Sequence, residues 1–203
     1  MLDAGLDRFL GAPELHARFR GRILRDKGVD VLEGAYADLL RSKGGTPSLE
    51  WYAGYASMVA AEFRRRAGRR EEALAGYGRA IRHFERSLAA EPSYEDSAGR
   101  YIALARAGRA RIAYEAGDDG TALEELLAAL RRKPEAAAEL DGLGISPADT
   151  ARMLLARLEE RKDEARAARL KAALDRLDPR LLELPAYERT GPGPEGGRDP
   201  RRR

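Results

Sequence analysis

Two segments of this chain carry the same spaced pattern: residues 68–80 read GRREEALAGYGRA, and residues 117–129 read GDDGTALEELLAA. In each segment the first glycine is followed by alanine after five residues, an apolar side chain after nine and alanine after twelve. An alanine also stands seven residues before each glycine, at Ala61 and Ala110. Glycine readily adopts the left-handed conformation that ends many helices, and small residues let two helices approach closely. The pattern therefore predicts two helical hairpins, each turning at its glycine.

Apolar residues recur at intervals of three and four along most of the remaining chain, which is the spacing of one face of a helix. We expect eight sizeable helices in four antiparallel pairs. No strand is expected, because no segment alternates apolar and polar residues with β-branched enrichment. The stripe predicted for the third helix is Tyr52, Tyr55, Val59 and Phe63. On the fourth helix we expect Tyr77, Ile81 and Phe84 to be buried.

Residues typical of helix starts mark several boundaries. Pro13 suits a first helical position, and Thr46 and Ser146 each precede a proline, as an N-cap residue followed by the first turn does. Residues 93–96 (Ser-Tyr-Glu-Asp) resemble a capping box, in which a side chain at each end bonds the backbone of the other. The sequence therefore predicts a proline in the first turn of the first helix and capped starts for the third, fifth and seventh helices.

The chain divides into a short lead at residues 1–12, a helical domain at residues 13–184 and a disordered basic tail at residues 185–203. A turn rich in glycine is expected at residues 141–144. The net charge of +3 is concentrated in the tail, where residues 187–203 carry +2, so it is weak evidence for a nucleic-acid partner. Because there is no signal peptide and no long apolar segment, we expect a soluble, cytoplasmic protein that does not enter a membrane.

The residues that usually carry chemistry are absent or isolated. There is no cysteine, and the two histidines, His16 and His83, have no partner at metal-ligand spacing. The Asp118-Asp119-Gly120 segment lacks the alternating oxygen ligands of a calcium loop, and it reads instead as a turn and helix cap. We therefore predict no catalytic residue, no metal, no cofactor and no enzymatic activity.

The two repeated segments resemble the second half of a tetratricopeptide repeat, in which a glycine turn precedes a helix with alanines at these positions. Ala61 and Ala110 match the small residue of that family's first helix, and Pro134 matches its closing proline. The resemblance covers residues 57–134. It implies an all-α fold in which antiparallel helical hairpins stack into a superhelix.

The family resemblance also implies a function. Such repeats bind a peptide or partner protein in a concave groove lined mainly by first helices, so the expected role is a protein-interaction scaffold. Carried over by position, the groove residues on the third and fifth helices would be Tyr55, Met58, Glu62, Arg65, Leu104, Arg111, Tyr114 and Glu115. Each of these residues also has a plain structural interpretation, as core or as solvated surface.

Two alternatives remain open at this point. A basic cluster of Arg64, Arg65, Arg66, Arg69 and Arg70, together with the tail, could bind nucleic acid or another polyanion. Neighbouring Glu62, Glu71 and Glu72 offset that charge, so nucleic acid is not the favoured partner. The chain could instead be the structural helical end of a larger protein.

Overall fold

The computed structural model describes residues 11–139 and 146–182. These residues form eight α-helices and no β-strand, which confirms the predicted all-α class. The helices are α1 (Pro13–Asp26), α2 (Val29–Lys43), α3 (Pro47–Arg66), α4 (Arg70–Ala90), α5 (Glu95–Glu115), α6 (Asp119–Arg132), α7 (Pro147–Glu160) and α8 (Glu164–Leu174). Short 3-10 turns occupy Pro92–Tyr94, Pro134–Ala138 and Pro179–Leu182.

Each helix packs against the next helix in the chain. Except between α6 and α7, the connections are two to four residues long, so the chain reverses at once and neighbouring helices run antiparallel. Contacts also join helices two apart, namely α3 with α5, α5 with α7 and α6 with α8. The four predicted pairs are therefore α1–α2, α3–α4, α5–α6 and α7–α8, and successive pairs touch.

The predicted caps form at two of the helix starts. The Thr46 side chain accepts a hydrogen bond from the Leu49 backbone at the start of α3. Ser146 and Asp149 form a reciprocal capping box at the start of α7.

The capping box predicted at residues 93–96 is wrong. Pro92 begins a 3-10 turn that leads directly into α5, and the Glu91 carboxylate accepts from the Ser93 backbone N–H. Tyr94, which precedes the first residue of α5, makes no side-chain cap.

The two repeated glycines make the same turn. Gly68 and Gly117 have φ of 74° and 79°, and each donates its N–H to the carbonyl three residues back. The residue after each glycine donates to the carbonyl five residues back, from Arg69 to Arg64 at 2.8 Å and from Asp118 to Ala113 at 2.9 Å. This pair of bonds is the Schellman motif, which satisfies carbonyls left unpaired at a helix end.

A third copy of this turn joins α7 to α8, with a lysine in the glycine position. Lys162 has φ of 57°, and its N–H donates to the Glu159 carbonyl at 3.0 Å. Asp163 donates to the Leu158 carbonyl at 2.9 Å. In three of the four pairs the two helices are therefore joined by the same backbone motif. The third of these turns could not be predicted from the sequence, because it has lysine where the other two have glycine.

The core consists of successive clusters along the chain. One joins α1, α2 and α3, the next joins α3, α4 and α5, and a third joins α5 to α8. Tyr77 and Phe84 have no exposed surface and Ile81 has 5%, so their predicted burial is confirmed. Gly108 of α5 lies against the Tyr77 ring, and a Cβ there would meet the ring at 2.4 Å.

One apolar side chain of the predicted third-helix stripe does not face the core. Phe63 is 47% exposed, while its neighbours Arg64 and Arg65 are each only 6% exposed. The two arginines reach carboxylates on adjacent turns and helices, and their side chains take the interhelical space that hydropathy assigns to Phe63.

Three further predictions lie outside the described residues: the lead at residues 1–12, except for its last two residues, the turn at residues 141–144 and the disordered tail at residues 185–203. Among the helices that the structure describes, none has an apolar stretch long enough to cross a bilayer.

Candidate partner-binding surface

The first helices of the four pairs touch one another in succession through arginine side chains. The Arg20 Cζ of α1 lies 4.5 Å from the centroid of the Tyr55 ring of α3. The Arg65 Nη1 of α3 lies 3.8 Å from the Glu115 carboxylate of α5. The Arg157 Cζ of α7 lies 3.4 Å from the centroid of the Tyr114 ring of α5. Arg157 also donates to the Tyr114 backbone carbonyl at 2.7 Å. We call the surface formed by α1, α3, α5 and α7 the first-helix surface.

An aromatic patch, Trp51, Tyr55 and Tyr101, lies on this surface between α3 and α5. The Trp51 and Tyr55 rings stack with centroids 5.7 Å apart, and Tyr101 meets both rings edge-on at 5.3 Å. The Trp51 indole donates to the Ser97 hydroxyl at 3.2 Å. All three rings are partly exposed, so the patch combines a fixed geometry with accessible apolar area.

Arg20 flanks this patch. Its Nη1 is buried and has no hydrogen-bond partner in the described part of the chain. Beside it, burial raises the pKa of Tyr36 to about 12 against the opposing effect of the Arg20 charge.

His16 stacks on Tyr52 with ring centroids 3.7 Å apart, and its Nδ1 lies 3.1 Å from the Tyr36 hydroxyl. These contacts identify His16 as a packing residue.

Four of the predicted groove residues form one ion-pair network instead of an open recognition site. Arg65 binds Glu62 at 2.7 Å and lies 3.8 Å from Glu115, which in turn accepts from Arg111 at 3.2 Å. The Tyr77 hydroxyl donates to Glu62 and accepts from Arg65. Burial and the Glu62 charge raise the pKa of Tyr77 above its ordinary value. The Arg65 side chain is only 2% exposed, so this network serves to join α3, α4 and α5.

The other four predicted residues lie in different surroundings. Tyr55 and Met58 are partly exposed and pack on the α3–α5 core. Leu104 is 8% exposed, and Tyr114 lies under the Arg157 guanidinium. In the predicted set, accessible apolar area therefore lies at Tyr55 and Met58, whereas the most exposed member, Glu115, belongs to the ion-pair network.

The basic cluster after α3 is largely paired with carboxylates. Arg64 contacts both Glu33 and Asp30 of α2, and Arg69 binds Asp30 at 2.8 Å. Arg69 also donates to Glu72 at 2.5 and 2.7 Å. With Arg65 in the network above, the exposed arginines of the cluster with no ion pair to a described residue are Arg66 and Arg70.

The described residues hold no group of three metal-ligating side chains. The His83 Nδ1 lies 2.6 Å from the Glu50 carboxylate, a contact that ties α4 to α3. Asp118 caps α6 as predicted, but its neighbour Asp119 is 6% exposed and binds Arg157 of α7 and Arg161, which directly follows α7. The acidic pair is thus a cap and an interhelical anchor.

Arg20, Trp51 and Tyr101 were missed as candidate surface residues. For the two aromatic residues the signal existed, since both occur in apolar stripes of α3 and α5, but a stripe does not distinguish a core ring from a ring at a surface. Arg20 left no signal in the sequence, because its partner ring lies 35 positions away.

No protein-family model matches this sequence, and no curated protein is significantly similar to it.

Proposed function

We propose that this protein is a non-enzymatic interaction scaffold, a tetratricopeptide-like superhelix of helical hairpins that binds a peptide or partner protein along its first helices. The observation that carries the proposal is the succession of contacts linking α1, α3, α5 and α7. A shared surface of first helices is what the repeat family uses for binding. The three Schellman turns support the same repeat architecture.

The aromatic patch is the part of this surface best suited to a partner. Tyr and Trp supply large, rigid apolar area, and with Arg they dominate the energetics of protein interfaces. Trp51, Tyr55 and Tyr101 are partly exposed, so a partner would remove further apolar area from water. Beside them, Arg20 adds a cation whose buried Nη1 has no hydrogen-bond partner among the described residues.

Peptide selection tests the proposal. The purified full chain is immobilised and exposed to a random peptide display library, and the affinities of enriched peptides are measured by fluorescence anisotropy. Tyr55→Ala removes the ring of the patch that Arg20 also contacts. We expect it to weaken binding by about 30-fold, the effect of losing an interface hot spot.

Leu74→Ala is the matched control, because Leu74 is a 37% exposed apolar residue on the second helix α4. It should leave peptide affinity unchanged, and thermal unfolding shows whether both variants remain folded. The proposal is rejected if no peptide is enriched, or if enriched peptides bind wild type and a folded Tyr55→Ala variant equally.

Polyanion binding through the basic cluster has less support, because three of its five arginines are already paired with carboxylates. A polyphosphate probe whose affinity fell steeply between about 50 and 200 mM salt would favour that alternative.

A further inference from the structure

A groove of about 340 Å³ lies over α5, between the second helices α4 and α6. Both of these helices pack on α5, and Ile102 of α5, which is only 3% exposed, lies at the floor of the groove. Pockets that bind small molecules usually measure about 300 to 1,000 Å³, so the groove is at the small end of that range. Its lining has an apolar part and a charged part.

The apolar part of the lining is contributed by all three helices. Leu88 of α4 and Ala128 of α6 are partly exposed on the two helices that flank Ile102. An apolar group seated between them would remove further apolar area from water, which favours binding. The groove therefore suits a ligand that has a small apolar body.

The charged part of the lining is predominantly basic. Arg106, Arg131 and Arg132 line the groove, and Glu85 is the acidic side chain among the described lining residues. When the ion-pair network of these side chains is included, four arginines face three glutamates, the added residues being Glu95, Arg109 and Glu125. An anion in the groove would therefore meet more positive than negative charge.

Two of the lining arginines are available to a ligand. Arg131 is exposed and forms no ion pair with a described residue. Arg106 lies 3.1 Å from one carboxylate oxygen of Glu125, while Arg109 lies 2.8 Å from the other. If Arg106 turns to a bound anion, Arg109 still neutralises Glu125, so the buried carboxylate does not lose its last partner.

Arg132 forms a wall of the groove. Both of its Nη atoms donate to the Glu95 carboxylate. Its guanidinium also lies against α5 at Gly99, where an added Cβ would meet Nη1 at 3.1 Å. Because the donors of Arg132 stay on Glu95, the binding of an anion falls to Arg106 and Arg131.

We infer that this groove binds a small phosphate ester whose apolar body rests on Leu88, Ile102 and Ala128. Arg106 and Arg131 bind the phosphate, which offers three oxygens and a charge of about −2 at neutral pH, enough for both guanidinium groups. A carboxylate has one charge and two oxygens, so it is the poorer match for two arginines. The groove shares no residue with the aromatic patch, and the inference does not depend on the proposed partner-binding role.

Methyl NMR of the full chain tests the inference, with phenyl phosphate as the probe. The aromatic ring of the probe should shift the methyl signals of Leu88, Ile102 and Ala128, and the shifts should saturate with a Kd below about 1 mM. Inorganic phosphate lacks the apolar body and benzoate lacks the second charge, so each should bind about tenfold more weakly than phenyl phosphate.

Two substitutions should change the affinity for phenyl phosphate in opposite directions. Arg131→Gln removes a guanidinium and should weaken binding about tenfold, whereas Glu85→Gln removes the acidic side chain and should strengthen it about threefold. Arg70→Gln is the matched control, because Arg70 is also an exposed arginine with no ion pair to a described residue. It should leave the affinity unchanged.

Three results would overturn the inference. They are methyl signals that do not shift with up to about 10 mM phenyl phosphate, inorganic phosphate or benzoate that binds as tightly as phenyl phosphate, and a folded Arg131→Gln variant with wild-type affinity. A tyrosine-phosphorylated peptide that binds the groove more tightly than phenyl phosphate would overturn the small-molecule assignment in favour of a protein partner.

Discussion

At the scale of single residues, ion pairs override hydropathy in the last turns of α3. Arg64 and Arg65 are buried and Phe63 is exposed, the reverse of what their transfer free energies favour. Arg64 reaches Glu33 of α2 and Arg65 reaches Glu62, so both charges are paired and their aliphatic stems pack between helices. Removing Glu33 or Glu62 would take the closest carboxylate away from a buried guanidinium.

The contribution of these buried ion pairs to the free energy of unfolding can be measured at Glu33. It accepts two bonds from Arg79, at 2.7 and 2.9 Å, and one from Arg64. Burial acts to raise the pKa of Glu33, but the two arginines outweigh it and hold the pKa below its ordinary value of 4.5. A depressed carboxyl pKa stabilises the fold above the unfolded-state pKa, and this stability is lost as pH falls through the folded-state pKa.

Glu33→Gln should therefore lower the free energy of unfolding by about 2 kcal/mol at neutral pH, the usual loss for hydrogen bonds to a charged group. The difference from wild type should shrink as the pH falls below 4.5, in urea denaturation at a series of pH values. Glu124→Gln is the control, since the Glu124–Arg169 pair is more than half exposed and should contribute less than about 1 kcal/mol. Two results would contradict this account: an equal loss of unfolding free energy in both variants, or a difference between Glu33→Gln and wild type that does not change with pH.

At the scale of helices and turns, the Schellman turn occurs three times, twice with glycine and once with lysine in its left-handed position. Gly68 and Gly117 have a positive φ, and a methyl group added to either Cα would have no neighbouring atom within 4 Å, so backbone conformation alone selects glycine there. Lys162 adopts nearly the same conformation at the third turn. A residue with a Cβ is under conformational strain in that region. The third turn should therefore be the strained member of the set.

Lys162→Gly should relieve that strain and stabilise the protein by about 0.5–1 kcal/mol, after the larger chain entropy of glycine in the unfolded state is offset. Gly117→Ala, the reverse change in the equivalent turn, should destabilise it by about 1 kcal/mol. Both values come from urea unfolding monitored by circular dichroism. A destabilised Lys162→Gly variant would show that the lysine side chain makes a favourable contact that outweighs the backbone strain.

At the scale of the whole molecule, the core is distributed along the chain. The three main clusters involve α1 to α3, α3 to α5 and α5 to α8, and neighbouring clusters are joined through shared helices. A core arranged in this way has a stability that is close to a sum over neighbouring units, so its ends open more easily than its centre.

Hydrogen exchange followed by mass spectrometry should therefore show graded protection. Amides in α3 to α6, which have packed pairs on both sides, should exchange slowest, and those in α1, α2 and α8 should exchange faster. Uniform protection across all eight helices would indicate a single cooperative core and contradict the graded picture.

How far the candidate surface could be foreseen depends on the range of the contacts. The register of α3 predicted that Tyr55 and Met58 face the groove, since a residue's position on a helix follows from local spacing, and both keep some accessible surface. The same reasoning placed Arg65 and Arg111 in an open groove, whereas Arg65 is enclosed and both belong to an ion-pair network with Glu115. The position of a residue along a helix predicts the direction of its side chain, but it does not predict which residue of another helix that side chain contacts.

By itself the sequence determined the eight helices of the described residues, most of their boundaries and the two glycine turns. These features follow from local periodicity, caps and backbone preferences, which act within a few residues. Only the tertiary structure decided that Arg64 and Arg65 are buried, that Lys162 repeats the glycine turn, and that Arg20, Trp51 and Tyr101 meet on one surface. Those outcomes depend on ion pairs and ring contacts between residues that are distant in the sequence. Such interactions contribute to stability only after the helices have packed together.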